Sequence, residues 1–153
     1  MKFVFEKLRS GKYDRLMIDR DGKIEEIDCP KIGGIPHDMV HFAVETVMSK
    51  HGFMRRVAGG EKLDFRMAPS VESDQMERLV EVLQADAISG SPPPEDLIDM
   101  YKVTCEARGV APYALTVGDI AALRAEMNRL TKLWDAVAPG GKLELAFNDH
   151  EHA

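Results

Sequence analysis

The chain is poor in cysteine and carries no excess of positive charge. Its only cysteines are Cys29 and Cys105. Two thiols so far apart in sequence exclude a disulfide framework and a thiolate metal site, and read as reduced residues near the core. No apolar run is long enough to cross a bilayer. The opening Met1-Lys2-Phe3-Val4-Phe5-Glu6 meets an acidic residue too early for a secretory leader, so a cytoplasmic protein is expected. Lysine and arginine number 20 against 26 aspartates and glutamates, a net charge of −6. Residues 1–68 hold 13 basic and 11 acidic side chains, and residues 69–153 hold 7 and 15. Such an acidic surface repels phosphate backbones and anionic lipid headgroups, which excludes nucleic acid and membrane surfaces as expected partners. Gly33-Gly34 and Gly59-Gly60 lack the spacing and the following basic residue of a phosphate loop. No serine stands in a nucleophile elbow.

What is present fits one globular α+β domain over residues 1–153, with 44% apolar and 30% charged residues. A chain of this size buries most of its apolar surface without cross-links. A metal, if bound, would then serve function rather than folding. Residues 1–30 read as an antiparallel meander. Phe3 and Phe5 alternate in a first strand, Tyr13–Ile18 is a second, and Lys23–Asp28 follows the Asp21-Gly22 hairpin signal. Residues 36–137 are mainly helical, in about four helices. The first opens at Pro36, runs to about Lys50 and stops at Gly52. Phe53–Arg66 is hard to assign, with a turn at Gly59-Gly60 and a short strand over Leu63–Met67. The second helix follows Pro69, with Ser70, Ser73 and Asp74 competing to cap it and Met76, Leu79, Val80, Leu83 and Ala87 as its apolar stripe. The third spans about Pro94–Arg108. Thr116 and Asp119 make an acidic capping box for the fourth, whose seam runs Val117, Ile120, Leu123, Met127, Leu130, Trp134 and Val137. Residues 142–147 form a final strand, and His150-Glu151-His152 a frayed tail.

One helix carries a chemical pattern. Residues 36–45 read Pro-His-Asp-Met-Val-His-Phe-Ala-Val-Glu. With His37 at zero, the helical twist puts His41 at about 40°, Glu45 at about 80° and Asp38 at about 100°. The four share one stripe, with Met39, Val40, Ala43 and Val44 on the other faces. Two imidazoles one turn apart present nitrogen donors at a spacing that suits a divalent metal such as zinc. Glu45 is then a third ligand or a carboxylate that orients a histidine from behind, and Asp38 a base or a further ligand. The same stripe is equally the wet edge of an amphipathic helix, with Asp38 simply favouring the helix dipole. The pattern departs from the helical zinc-protease motif, which places Glu directly after the first His. For a distant ligand, only Glu61, His51 and the tail histidines offer themselves.

The run Ile35-Pro36-His37-Asp38-Met39-Val40-His41-Phe42-Ala43-Val44-Glu45 resembles a family of uncharacterised bacterial proteins with a Pro-His-Asp-x-x-His-Phe-x-Val-Glu helix. Gly52-Phe53, Val57-Ala58-Gly59-Gly60 and Trp134 with Pro139-Gly140-Gly141-Lys142-Leu143-Glu144-Leu145 extend the resemblance to about a third of the chain. It implies no particular activity. His37-Asp38-x-x-His41 is also similar to the zinc motif of a ubiquinone-biosynthesis protein family. That similarity would make His37, Asp38 and His41 ligands, but Phe53 stands where the motif needs a glutamate.

Two function classes stay open. The favoured one is a non-catalytic binding or scaffold protein, because no catalytic set is complete and the seam of the last helix can pair with a second copy in a homo-oligomer. The other is a divalent-metal-dependent, hydrolytic enzyme centred on His37, Asp38, His41 and Glu45.

Overall fold

Alternating apolar residues build the sheet. A computed structural model describes residues 1–31, 34–48, 53–62 and 71–147. The elements are β1 (Lys2–Glu6), β2 (Tyr13–Arg20), β3 (Lys23–Pro30), α1 (His37–Met48), α2 (Phe53–Ala58), α3 (Val71–Ile88), α4 (Pro94–Ala107), α5 (Val117–Asp135) and β4 (Lys142–Ala146). The sheet order is β3-β2-β1-β4, every pair antiparallel. The architecture is therefore α+β, with the N-terminal meander joined by the C-terminal strand. Asp21 and Gly22 turn the β2–β3 hairpin with φ of 52° and 89°. Both lie in the left-handed region that suits the right-handed twist of paired strands, and glycine enters it without steric penalty. Asp19 secures the turn by accepting the Gly22 N–H at 2.8 Å. Pro30 ends β3, which lies at the sheet edge, where its missing N–H breaks no ladder.

Phe3, Phe5, Leu16, Ile18 and Leu145 point to one face and are buried there. Phe42 of α1 meets Phe3 and Phe147 edge-on, with ring centroids 6.3 and 5.8 Å apart. Edge-on contact sets the positive rim of one ring against the negative face of another. α1 is the hub of the helical layer, packing on α2, α3, α5 and β3. Of its twelve residues, only Thr46 is exposed, while His37, Asp38 and Val47 are half-buried.

Several boundaries differ from the sequence reading. β2 continues to Arg20 and β3 to Pro30. α2 is a fifth helix, in a stretch that sequence periodicity left unassigned. Six residues are too few to display a helical repeat, and tertiary contacts hold both ends. The Glu45 carboxylate accepts the Met54 N–H at 3.1 Å, and the Arg20 guanidinium bonds the Val57 carbonyl at 2.9 Å. Ala87 is exposed rather than inward, and so is Val117. The rest of the α5 seam, Ile120, Leu123, Met127, Leu130 and Trp134, is buried within the chain, where α5 packs on α1 and α4. The capping box of Thr116 and Asp119 forms with both its hydrogen bonds. The expected strand over Leu63–Met67, Ser70 as a cap, the stop at Gly52 and the tail histidines lie outside the described residues. Among the described residues, no helix is long and apolar enough to cross a membrane.

Candidate metal centre

The site begins with how α1 starts. The Pro36 carbonyl accepts the N–H groups of Met39 and Val40, so His37 is the first helical residue and His41 lies one turn on. Their rings meet edge-on with centroids 4.8 Å apart, and their Nε2 atoms are 3.2 Å apart. α3 crosses this stripe in the opposite direction. Its Glu77 faces His41, with Oε2 3.2 Å from Nε2, and reaches His37 Nε2 at 3.8 Å through Oε1. Two turns further along α3, about 10 Å by helical rise, Gln84 Nε2 sits 2.5 Å from His37 Nδ1.

His37, His41 and Glu77 thus form a group that can hold a metal ion, their donor atoms all within 4.8 Å of one another. Zinc bonds of about 2.0–2.1 Å in a tetrahedron set donor atoms about 3.3–3.4 Å apart. The two 3.2 Å separations match that edge length, while the 3.8 Å contact to His37 is made by the other Glu77 oxygen, so a single-oxygen ligand set requires the carboxylate to turn. His41 is buried while His37 and Glu77 are each about a third exposed, so the triangle opens to solvent on one side.

Charge at the site is finely divided. Burial alone would pull His41 down, but the hydrogen bond and charge of Glu77, aided by Glu45 and Asp38, hold its pKa above the ordinary histidine value. Burial and then the neighbouring His41 hold His37 below that value. The bond from His41 holds Glu77 below the usual carboxylate range despite partial burial. Of the two facing imidazoles, His41 therefore holds a proton more readily than His37.

The other two sequence candidates stand beside this triangle. Glu45 is fully buried, and its Oε2 is 3.8 Å from His41 Nδ1, the ring nitrogen that faces away from His37 and Glu77. It holds the start of α2 and flanks His41 from behind. Asp38 turns toward β3, where its carboxylate takes a hydrogen bond from the Cys29 thiol. Burial, then Asp38 itself, pushes that thiol well above its ordinary value, so it is no nucleophile. Glu77 escaped sequence reasoning. It is one of five acidic residues on α3, and nothing local distinguishes it. Its seven-residue spacing from Gln84, which aligns the two on one helix face, is the one signal that pairs with the histidine turn. Glu61 lies away from the cluster, where its carboxylate pairs with Arg56 at 3.2 Å. His51 falls outside the described residues.

No protein-family model, curated protein or solved structure matches this chain. The reading of the site therefore rests on its own geometry.

Proposed function

We propose that the protein is a divalent-metal-dependent enzyme of hydrolytic type, with a metal such as zinc bound by His37, His41 and Glu77. One observation carries this reading: three donor groups from two helices converge within 4.8 Å of one another, two of their separations at the edge length of a tetrahedral ligand set, beside a partly solvent-exposed side. Two neutral nitrogens and a carboxylate with an open position are a common catalytic, rather than structural, zinc ligand set. A metal there would supply Lewis acidity, lowering the pKa of water and polarising a carbonyl or phosphoryl oxygen.

The chain's own groups fit the remaining tasks. For His37 to offer Nε2, its Nδ1 must carry the proton and donate it to Gln84. That requires the Gln84 amide to present oxygen where nitrogen now lies, a half-turn about its last side-chain bond. Gln84 would then fix the tautomer and ring plane of His37, as outer partners of ligating histidines do. Glu45 would play the same part for His41 by drawing its Nδ1–H. Water hydrolyses a substrate by adding its oxygen to the electrophilic centre and passing a proton to the leaving group. Asp38, on the same first turn of α1 and close enough to influence both histidines, would have to leave the Cys29 thiol to take that proton.

The scaffold alternative drew on the apolar seam of α5. That seam is already buried inside the chain, which removes the feature that favoured pairing with a second copy. The test is elemental analysis of protein purified without a histidine tag, beside His37→Ala, His41→Ala and Glu77→Gln. Near-stoichiometric zinc, iron or manganese in the wild type and its loss in the variants is the expected result. Equal trace metal in all four samples would overturn the proposal. Rates toward activated esters that do not differ between metal-reconstituted and chelated protein would overturn its hydrolytic part.

A further inference from the structure

A groove lies next to Gln84, the residue that touches His37 from the side away from Glu77. Its walls include Ile35 before α1, Val40 of α1, Gln84 and Ala87 of α3, and Met127 and Thr131 of α5. Gln84 belongs to both places, since its amide also touches His37 Nδ1. The antiparallel crossing of α1 and α3 explains this adjacency. His41 faces Glu77, His37 faces Gln84, and one turn beyond lie Ala87 and Ile88 opposite the start of α1. The groove holds about 160 Å³, and its described lining contains no charged side chain. At about 30 Å³ for each water-sized group, it has room for about five methylenes. Past Met127 and Thr131 it opens into a polar hollow of about 200 Å³ beside Ser91 and Asn128. Arg124 is there too, but its guanidinium is bound by both oxygens of Asp86, at 2.9 and 2.8 Å. Among the described lining residues, no cation is left to meet an anionic group.

From this adjacency we infer that the metal site acts on small neutral molecules with a short apolar arm of about five carbons. The group held at the open metal position lies beside His37, and the arm runs across Gln84 between Val40 and Met127. A charged or bulky arm does not fit, because burying an unpaired charge in so apolar a space carries a large desolvation penalty. The inference rests on the metal reading for the reacting group, while the groove exists independently of it.

The test uses straight-chain alkyl hydroxamates from two to eight carbons, titrated into the cobalt-loaded protein and followed by its visible spectrum. Affinity should rise about fourfold per methylene, the value of burying one such group, and level off near five or six carbons. Ala87→Phe, which fills the groove from its exposed edge, should flatten that rise. Metal and acetohydroxamate binding with no chain-length dependence would overturn the inference and leave the metal reading intact. A second arm titrates 1-pentanol into the metal-free protein and follows methyl resonances. Shifts at Ile35, Val40 and Met127 support the groove whether or not metal binds, and silence there overturns it.

Discussion

Fully and partly buried carboxylates occur in two kinds of place in this fold, and they are treated differently. Asp14, on the inner side of β2, meets the Lys31 ammonium at 2.5 Å and accepts the Leu8 N–H at 3.0 Å. Asp86, at the end of α3, receives both arms of Arg124. Each has a permanent cation, so each is complete as a structural ion pair. Glu77 has none: among the described residues its ion pairs are with His37 and His41, which carry charge only when protonated. Arg78, next in sequence, has its Nε 2.6 Å from Glu81. The lesson is that the α1–α3 crossing leaves its positive charge to be supplied, by a proton or by a metal, while the other two sites are built closed.

The sharpest way to break that comparison is Glu77→Gln. It should abolish stoichiometric metal, yet change unfolding free energy by no more than about 1 kcal/mol, because the group is partly exposed and carries no fixed partner. Undiminished metal in this variant would mean that Glu77 is merely another surface acid. Arg124→Ala should do the converse. Stranding Asp86 without its cation costs about 3 kcal/mol in urea unfolding, with metal content unaltered. A loss under 1 kcal/mol would show that the closed pair is not closed. Gln84→Leu sharpens the site itself: without a partner for His37 Nδ1, metal affinity should drop by about 10- to 100-fold. A competition titration with a chromophoric chelator reads this, and an unchanged constant would release Gln84 from its positioning role.

The smallest effect concerns Cys29, which lies behind the site against Asp38. Its folded pKa is raised above the unfolded value, so folding favours the protonated thiol. Stability from this source is fully present below the unfolded value and is lost as pH rises past about 8.5, where the unfolded thiol ionises. The loss should approach about 1 kcal/mol per pH unit above that point. Cys29→Val should flatten the alkaline slope measured by urea unfolding between pH 8 and pH 10. Tyr101, whose pKa is also raised by burial, contributes with the same sign and leaves a residual slope.

The strands were legible because each declares itself locally. Phe3 and Phe5 alternate, Asp21-Gly22 can hardly be anything but a turn, and Leu143, Leu145 and Phe147 repeat the alternation at the far end. The capping box at Thr116 was legible for the same reason, since both its bonds join residues three apart. α2 was not, because its ends are held by Glu45 and Arg20 from distant parts of the chain. The burial of Glu45 was hidden too. Helical arithmetic puts it on the polar stripe with the histidines, but α2 packs over that end of α1 and takes its carboxylate as a partner.

Sequence by itself determined the strands, the four long helices and the pairing of His37 with His41, since a helix fixes neighbours one turn apart whatever surrounds it. Tertiary structure alone decided that Glu77, thirty-six residues further on, completes the triangle, and that Gln84 links it to a groove. Those relations depend on how α3 crosses α1. That crossing is set by the packing of apolar side chains on both helices, and no local pattern in either one encodes it.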